Sequence, residues 1–167
     1  LYHPLTRSKE TLVPGTAGIG RMYSCGPTVY RYVHVGNLRT FMLPALLRRA
    51  LEYLGYETEH VMNITDVGHL TDDSFDRGED KMLVSAQLEH KSPEEIAGFY
   101  TDAFMQDAAS VNIRPAAHYP HATHYIPEMI ELITKLIEKA HASEVGGTVY
   151  SDLANFPAYG TLSRNPT

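Results

Sequence analysis

Apolar residues recur at three- and four-residue steps between Asn37 and Leu54, and this spacing predicts an amphipathic helix. Pro44 lies inside the segment and removes one backbone hydrogen bond, so we expect a kink or a break there. Gly55 follows the last apolar position and is expected to end the helix as its C′ residue. The apolar stripe consists of Leu38, Phe41, Met42, Ala45, Leu46, Ala50, Leu51 and Leu54.

Short runs on either side of this helix predict two strands. Residues 21–24 have the pattern of a short buried strand, and residues 57–64 form an extended run. Because a helix joins them, the two strands are expected to pair in parallel as a right-handed βαβ unit. The order of the elements therefore predicts an α/β fold.

Helical spacing returns in the second half of the chain. Ser92 is a candidate N-cap with Glu95 three residues later, a capping box that starts a helix at Pro93. Another apolar stripe runs from Pro127 to Ala140 and predicts a further helix. The apolar faces of both helices are expected to lie in the core.

The segments around these helices carry weaker patterns. Residues 66–81 are rich in Asp, Gly, Ser and Thr with little apolar periodicity, which predicts a loop. The pair Gly146-Gly147 followed by residues 148–150 predicts a small β element.

Three histidines recur at three-residue steps, at His118, His121 and His124. Such steps drift around a helix, and prolines interrupt the segment, so the spacing does not favour a shared metal site. We expect a solvated loop here.

Composition bounds the class of protein. A chain of 167 residues fits one domain of ordinary size with a small appended subdomain. Cys25 is the single cysteine, so no disulfide forms within the chain, and no apolar run has the length of a signal peptide or a membrane span. We therefore expect a cytoplasmic protein without a membrane partner. The chain begins without Met and ends in Asn-Pro-Thr, from which we expect a piece of a longer protein.

The charge balance limits the partners. The chain has 14 Lys and Arg against 20 Asp and Glu, a formal net charge of −6. Binding nucleic acid through the summed field of a protein needs Lys and Arg to contact the phosphates. The composition argues against a DNA-binding protein, and any contact with nucleic acid must be local.

The densest chemical signal is the run Cys25-Gly26-Pro27-Thr28-Val29-Tyr30, followed by His34-Val35-Gly36-Asn37. It places a thiol, a sharp turn and the start of a helix directly after a predicted strand. Unpaired backbone N–H groups and the positive end of the helix dipole make such a turn an anion site. No Asp or Glu occurs between Thr11 and Leu51, whereas five Arg do, so a polyphosphate would meet no nearby negative charge from this segment.

Several motifs in order resemble the N-terminal half of the catalytic domain of cysteine–tRNA ligases, which are class I aminoacyl-tRNA synthetases. The motifs are Leu5-Thr6-Arg7-Ser8-Lys9-Glu10, residues 22–30, His34-Val35-Gly36-Asn37, Arg39-Thr40-Phe41, Tyr53-Leu54-Gly55-Tyr56, Asn63-Ile64-Thr65-Asp66 and Tyr159-Gly160-Thr161-Leu162-Ser163. The resemblance implies an α/β, Rossmann-like parallel sheet with flanking helices and a small insertion subdomain, together an incomplete catalytic domain. Residues 1–66 would form the nucleotide- and cysteine-binding half, and residues 67–167 a loop, a helical insertion and a small β element.

The resemblance also implies an activity and site residues. The activity is ATP-dependent activation of cysteine, with Mg²⁺ on the phosphates, followed by transfer to tRNA(Cys). The catalytic candidates are His34 and Asn37. The ATP-binding candidates are Pro27, Thr28, His34, Gly36 and Asn37. The candidates for binding the substrate cysteine are Cys25, Gly26 and Thr65, and Cys25 would be one ligand of a zinc ion that binds the substrate thiolate, a ligand that zinc prefers to a hydroxyl.

The resemblance places the other zinc ligands, a lysine-bearing loop and the tRNA-binding helices outside these residues, so the chain alone is expected to be inactive. Two alternatives stay open. One is a mycothiol-pathway cysteine ligase with an amino-sugar acceptor, and the other is a non-catalytic, stand-alone nucleotide-binding fragment. From the residues alone, Cys25 is more typical of a buried core cysteine than of a metal ligand, and Thr65 is typical of an ordinary strand end.

Overall fold

The computed structural model describes residues 1–68, 70–72 and 77–163, and at residues 70–72, 77–80 and 154 it describes the backbone only. The strands are β1 (Tyr2–His3), β2 (Ser8–Lys9), β3 (Ile19–Ser24), β4 (Glu57–Met62), β5 (Leu70–Asp72), β6 (Arg77–Asp80), β7 (Ala142–Val145) and β8 (Thr148–Ser151). The α-helices are α1 (Val35–Tyr53), α2 (Lys81–Glu89), α3 (Pro93–Ser110) and α4 (Ile126–Glu138).

The chain divides into two compact units. One consists of Pro14–Tyr125, and the other of Leu1–Val13 together with Ile126–Thr167. The functional halves predicted from the sequence, with their boundary near residue 66, stay a prediction.

A parallel βαβ unit forms the centre of the unit Pro14–Tyr125, as predicted. β3 and β4 pair in parallel from Ile19↔Glu57 to Ser24↔Met62, and α1 connects them. β3 is less buried than its pattern predicted, since the Tyr23 side chain is 67% exposed.

A third segment runs parallel to β4 and contains the first two of the three regularly spaced histidines. Bridges join Val61 to His118 and Ile64 to His121, and the Ile64 N–H donates to the Pro120 carbonyl at 2.8 Å. The expectation of a solvated loop was therefore wrong for residues 118–121, because backbone pairing with the edge of β4 holds them. All three parallel segments end at the same edge of the sheet.

Helix α1 is continuous from Val35 to Tyr53 and passes through Pro44 without a break. Gly55 follows with a φ of 89°, which confirms its role at the helix end. Only part of the predicted stripe is buried: Phe41 and Leu51 lie in the interior, whereas Leu46 is exposed.

The segment predicted as a loop before α2 contains regular structure. β5 and β6 pair antiparallel, with Leu70 opposite Asp80 and Asp72 opposite Arg77, and α2 begins at Lys81. The prediction of a loop over residues 66–81 was wrong for these strands, because backbone pairing forms a hairpin without apolar periodicity. His69 and residues 73–76 of that segment lie outside the described residues.

Helix α3 begins as predicted. The Glu95 N–H donates to the Ser92 hydroxyl at 3.1 Å, and the Ser92 N–H donates to a Glu95 carboxylate oxygen at 2.8 Å. Its apolar face lies in the core, as predicted. The buried core cluster consists of Val29, Phe41, Met62, Ile64, Met82, Ala86, Ile96, Ala97, Phe104, Ala108 and Ile113.

The other unit contains two hairpins and α4. β1 pairs with β2, and β7 pairs with β8 through a turn in which Gly146 and Gly147 have φ values of 60° and 83°. Positive φ at both turn positions is typical of a tight hairpin, so the predicted β element is confirmed.

The apolar face of α4 is not part of a core, contrary to the prediction for this helix. None of its residues is buried, and six of its seven large apolar side chains are 40–59% exposed. These six side chains are Ile126, Met129, Ile130, Leu132, Ile133 and Ile137. Helical spacing predicts an apolar face but not what covers it. Among the described residues, no helix is long and apolar enough to cross a bilayer.

Candidate active site

The side chain of Asn63 holds the turn after β3 against the chain that follows β4. Its Oδ1 accepts hydrogen bonds from the Gly26 N–H at 3.2 Å and from the Tyr23 hydroxyl at 2.9 Å. Its Nδ2 donates to the Thr65 hydroxyl at 3.0 Å. The sequence placed Asn63 in a motif without a role, and the structure shows that one amide orients both the turn and Thr65.

The backbone also joins Thr65 to this turn. The Thr65 N–H donates to the Pro27 carbonyl at 3.0 Å, and the Val29 N–H donates to the Thr65 carbonyl at 3.1 Å. Thr28 and Thr65 form a parallel bridge. The structure therefore brings the candidates Gly26, Pro27, Thr28 and Thr65 together, and their roles in binding stay predictions.

His34 is the N-cap residue of α1, a role that the sequence analysis did not assign to it. Its Nδ1 accepts a hydrogen bond from the Gly36 N–H at 3.0 Å, while the His34 N–H donates to the Asn37 Oδ1 at 3.1 Å. Because Nδ1 is the acceptor, the neutral ring carries its proton on Nε2. The cap thus leaves the His34 Nε2–H and the Asn37 amide N–H groups as donors at the helix start.

Gly36 makes room for this cap. A Cβ at position 36 would lie 2.8 Å from Cε1 and 3.0 Å from Nδ1 of the His34 ring. Any larger residue at position 36 would therefore have to displace the imidazole from its place over the first turn of α1. The Gly36 N–H, one of the predicted anion donors, is used by the cap.

A cavity of about 230 Å³ lies between the turn after β3 and the start of α1. We call it the turn cavity. Its lining residues are Gly26, Pro27, Thr28, Tyr30, Arg31, Tyr32, Val33, Asn37, Phe41 and Lys81. Four candidates from the sequence line it, namely Gly26, Pro27, Thr28 and Asn37, whereas Cys25, His34, Gly36 and Thr65 do not. The Cys25 side chain is exposed.

Two cations flank the turn cavity: Arg31, one of the five arginines that the sequence analysis counted in this segment, and Lys81, which it did not assign to the site. The Arg31 guanidinium carbon lies 5.1 Å from the centre of the Tyr30 ring, and the Lys81 Nζ lies 5.6 Å from the same centre. Both distances are typical of cation–π contacts. Lys81 is remote in the sequence, and no local pattern near the turn points to it.

Three of the five arginines between Thr11 and Leu51 are engaged elsewhere. Arg21 pairs with Glu59 at 2.8 Å, and Arg48 with Glu52 at 2.8 Å. The Arg49 guanidinium donates to the Asn112 carbonyl at 2.7 Å. Two of these arginines are therefore paired with carboxylates within the fold, and Arg31 is the arginine that lines the turn cavity.

Asp66 forms a polar network that the sequence did not predict. Its nearly buried carboxylate accepts hydrogen bonds from the Thr123 N–H at 2.9 Å and the Thr123 hydroxyl at 2.7 Å, and it pairs with His121 Nδ1 at 3.1 Å. Burial raises the pKa of Asp66, but the hydrogen bonds from Thr123 and His121 outweigh this effect and lower it. These hydrogen bonds hold His121 and Thr123, at the end of the third parallel segment, against Asp66, the residue that follows Thr65.

A second, larger cleft of about 610 Å³ adjoins this network. It is lined by Asp66, Ser92, Pro93, Glu94, Ala97, Gly98, His121, Thr123 and His124. The His121 and His124 rings lie 5.3 Å apart.

A family model described as the tRNA synthetases class I (C) catalytic domain matches residues 12–167. The chain belongs to this family. The resemblance inferred from the ordered motifs is thereby confirmed, and the turn cavity is part of a class I synthetase catalytic domain.

Curated relatives of this class I synthetase chain are cysteine–tRNA ligases. The chain is 48% identical to the enzyme of Treponema denticola over 163 residues, which cover 98% of the chain and 33% of the relative. It is 45% identical to the enzyme of Novosphingobium aromaticivorans over 100% of the chain and 34% of the relative. It is 45% identical to the enzyme of Deinococcus radiodurans over 98% of the chain and 32% of the relative. The chain thus spans about a third of the length of these relatives.

Cys25 is the residue of this synthetase chain predicted to bind zinc. A structural zinc ion takes four ligands, usually thiolates and imidazoles. Among the side chains that the structure describes, no group of three or more His, Cys, Asp or Glu residues is placed to hold a metal ion. These residues do not by themselves form a zinc site.

Proposed function

We propose that the protein bearing this chain is a cysteine–tRNA ligase that activates cysteine with ATP and transfers the cysteinyl group to tRNA(Cys). The observation that carries the proposal is the turn cavity, where Gly26, Thr28 and Asn37 line one space. This space lies where parallel segments end, the edge at which α/β proteins bind ligands. The names of the relatives support cysteine and tRNA as the substrates.

The proposal includes a finer assignment of the fold. β3, α1 and β4, with the third parallel segment at residues 118–121, would be part of a Rossmann-like sheet. The parallel order, with helices between consecutive segments, supports this assignment.

The reaction needs little covalent participation by the protein. The cysteine carboxylate attacks the α-phosphorus of ATP in line, and the bond to the β-phosphate oxygen breaks to release pyrophosphate with Mg²⁺. A ribose hydroxyl at the RNA 3′ end then attacks the cysteinyl carbonyl, and AMP leaves. Aligning the reactants and stabilising negative charge on the phosphate supply most of the catalysis in such reactions.

The helix start supplies the charge-stabilising groups in this proposal. The His34 Nε2–H would donate to a phosphate oxygen, because Nδ1 is already occupied by the Gly36 N–H. The Asn37 amide would donate beside it, because its Oδ1 already accepts from the His34 N–H. The cap therefore orients both donors before a nucleotide binds.

The turn supplies the groups for the amino acid. Gly26 and Thr65 would contact the substrate cysteine, and Asn63 positions both of them. Cys25 would contribute one zinc ligand, with the remaining ligands from outside the described residues. When bound, zinc would hold the substrate thiolate and so favour cysteine over serine.

Cysteine-dependent exchange of label between ATP and pyrophosphate in the full-length protein tests the proposal. We expect exchange with cysteine but not with serine. His34→Ala removes both the N-cap and the Nε2–H donor, whereas His34→Asn keeps a good N-cap and removes only the donor. Both variants should lose about 100-fold in exchange rate. Only His34→Ala should also lose about 1 kcal/mol of stability.

Two outcomes would contradict the proposal. Absence of cysteine-dependent exchange in the wild-type protein would reject the activity. Full exchange in His34→Asn would show that His34 only caps α1.

A further inference from the structure

The residues that follow β4 continue its parallel pairing on both sides. The Ile64 N–H donates to the Pro120 carbonyl at 2.8 Å, and the Ile64 carbonyl accepts from the Ala122 N–H at 3.0 Å. The backbone of Thr65 faces the opposite way and is bonded to the turn after β3. Successive residues of a strand bond to opposite neighbours, so the chain runs between the turn and the third parallel segment as a strand does.

Asp66 continues this alternation with its side chain. Its carboxylate accepts from the Thr123 N–H at 2.9 Å, from the Thr123 hydroxyl at 2.7 Å and from His121 Nδ1 at 3.1 Å. These contacts lie where the third parallel segment passes into the short 3₁₀ helix Ala122–Tyr125. The Asp66 side chain is only 6% exposed, so a lost hydrogen bond there is not readily replaced by one to water.

A carboxylate is the side chain that these contacts require. All three partners are donors, and a carboxylate can accept from all of them, with the neutral His121 ring carrying its proton on Nδ1. An Asn amide of the same shape has a single acceptor oxygen, so its NH₂ group would face at least one of these donors. The negative charge of Asp66 is therefore tied to its role as a shared acceptor.

The contacts of Asp66 complete a frame around Thr65. Ile64, which precedes Thr65, and Asp66, which follows it, are both held by residues 120–123. Thr65 itself is held on its other side by the turn after β3, and its hydroxyl accepts from Asn63 at 3.0 Å. Asp66 thus fixes the side of Thr65 that leads away from β4.

We propose that Asp66 is a positioning residue for the amino-acid site. Through Thr123 and His121, it holds Thr65 at the distance from the turn after β3 that binding of the substrate cysteine requires. Asp66 touches no substrate in this proposal and acts through Thr65 alone. The inference rests on the proposed function, in which Thr65 contacts the cysteine.

The groups proposed to hold the nucleotide are oriented by different contacts. His34 and Asn37 are fixed by hydrogen bonds within the first turn of α1, and neither bond involves Asp66 or its partners. Loss of the Asp66 contacts should therefore weaken the binding of cysteine much more than the binding of ATP. A residue that only supported the fold would affect both substrates alike.

Hydrogen exchange in the full-length protein, followed by mass spectrometry, measures how firmly Thr65 is held without reference to activity. In Asp66→Asn, peptides that contain residues 63–66 should exchange about tenfold faster than in the wild type, and more so than peptides from α1. Thr123→Val removes one donor and should have the same effect at smaller size. Thr123→Ser keeps the hydroxyl and should exchange as the wild type does.

Cysteine-dependent label transfer between pyrophosphate and ATP then connects this frame to substrate binding. Asp66→Asn should raise the KM for cysteine about tenfold and leave the KM for ATP within about twofold. Thr123→Val should also raise the KM for cysteine, whereas Thr123→Ser should not. Asp102→Asn makes the same charge change at an exposed position of α3 and should match the wild type in both assays. Thermal melting should show that every variant is folded at the assay temperature.

Several results would overturn the inference. Unchanged hydrogen exchange at residues 63–66 in Asp66→Asn would show that its contacts do not hold Thr65. Equal rises in the two KM values, an unchanged KM for cysteine, or the same effect in Asp102→Asn would remove the positioning role. Absence of cysteine-dependent label transfer in the wild type would instead reject the proposed function, and hydrogen exchange would still decide whether Asp66 holds Thr65.

Discussion

Gly26 lies against Asn63 so closely that a Cβ on Gly26 would be 1.9 Å from the Asn63 carbonyl oxygen. The same added atom would also be 2.8 Å from the Met62 side chain. The turn after β3 therefore contacts the end of β4 directly, and this contact sets the distance between the turn and Thr65. The glycine in the turn is required by close packing of two backbones.

Gly26→Ala should destabilise the protein by about 3 kcal/mol, because the added methyl group must displace backbone that cannot yield. Gly98 on α3 is the matched control, since a Cβ there meets nothing within 4 Å. Gly98→Ala should instead stabilise the protein by roughly 0.5–1 kcal/mol through helix propensity. Urea unfolding of both variants measures the difference, and equal stabilities would contradict the packing argument.

Asn63→Ala should raise the KM for cysteine in the exchange assay more than the KM for ATP. The substitution frees the Thr65 hydroxyl and leaves the Gly26 N–H without its acceptor, which costs about 1–2 kcal/mol. Tyr23→Phe is the control, since it removes only the exposed hydroxyl that donates to the same amide. A proportional change in both KM values would mean that Asn63 supports the fold without positioning Thr65.

His60 should make stability depend on pH in the mildly acidic range. Burial, and secondarily the charge of Arg48, lower the pKa of His60 below its ordinary value of 6.5. The unfolded chain therefore binds a proton that the folded chain does not. The stabilising contribution is fully present above pH 6.5 and is lost as pH falls through the folded pKa.

The measurement is the free energy of unfolding as a function of pH for wild type and His60→Gln. As pH falls below 6.5, the free energy of unfolding of the wild type should decrease by at most about 1.4 kcal/mol per pH unit more than that of the variant. Parallel curves would show that His60 titrates alike in both states.

Asp66 should make stability depend on pH in a more acidic range than His60 does. Its pKa lies below the ordinary value of 3.8, so its contribution is present above that pH and is lost as pH falls through the folded pKa. Asp66→Asn should cost about 2 kcal/mol at neutral pH, because the charged acceptor of Thr123 and His121 is lost. The cost should shrink in acid, whereas Asp102→Asn at an exposed site should show little cost at any pH. A pH-independent cost would contradict this account.

Local patterns predicted the elements whose signals are complete within a few residues. The capping box at Ser92 and Glu95, the helix end at Gly55 and the Gly146-Gly147 turn were all predicted correctly, because each depends on its own backbone. The βαβ unit followed from the order of its elements. The order of the motifs also identified the family, because several motifs in a fixed order are far more specific than any one of them.

Contacts between distant segments could not be predicted in this way. Residues 118–121 join the parallel segments through backbone pairing, which leaves no periodic trace in so short a run. Asp66 meets His121 and Thr123, and Lys81 reaches Tyr30, only because the fold brings them together. The exposed face of α4 shows the same limit, since an apolar stripe does not identify what it packs against.

The most direct test of the central claim is to give the full-length protein labelled cysteine, ATP and either tRNA or an amino sugar, and to identify the labelled product. The account predicts label in tRNA, released by mild base as expected for an ester, and none in the amino sugar. Label in an amide of the amino sugar, or no transfer to either acceptor, would contradict it.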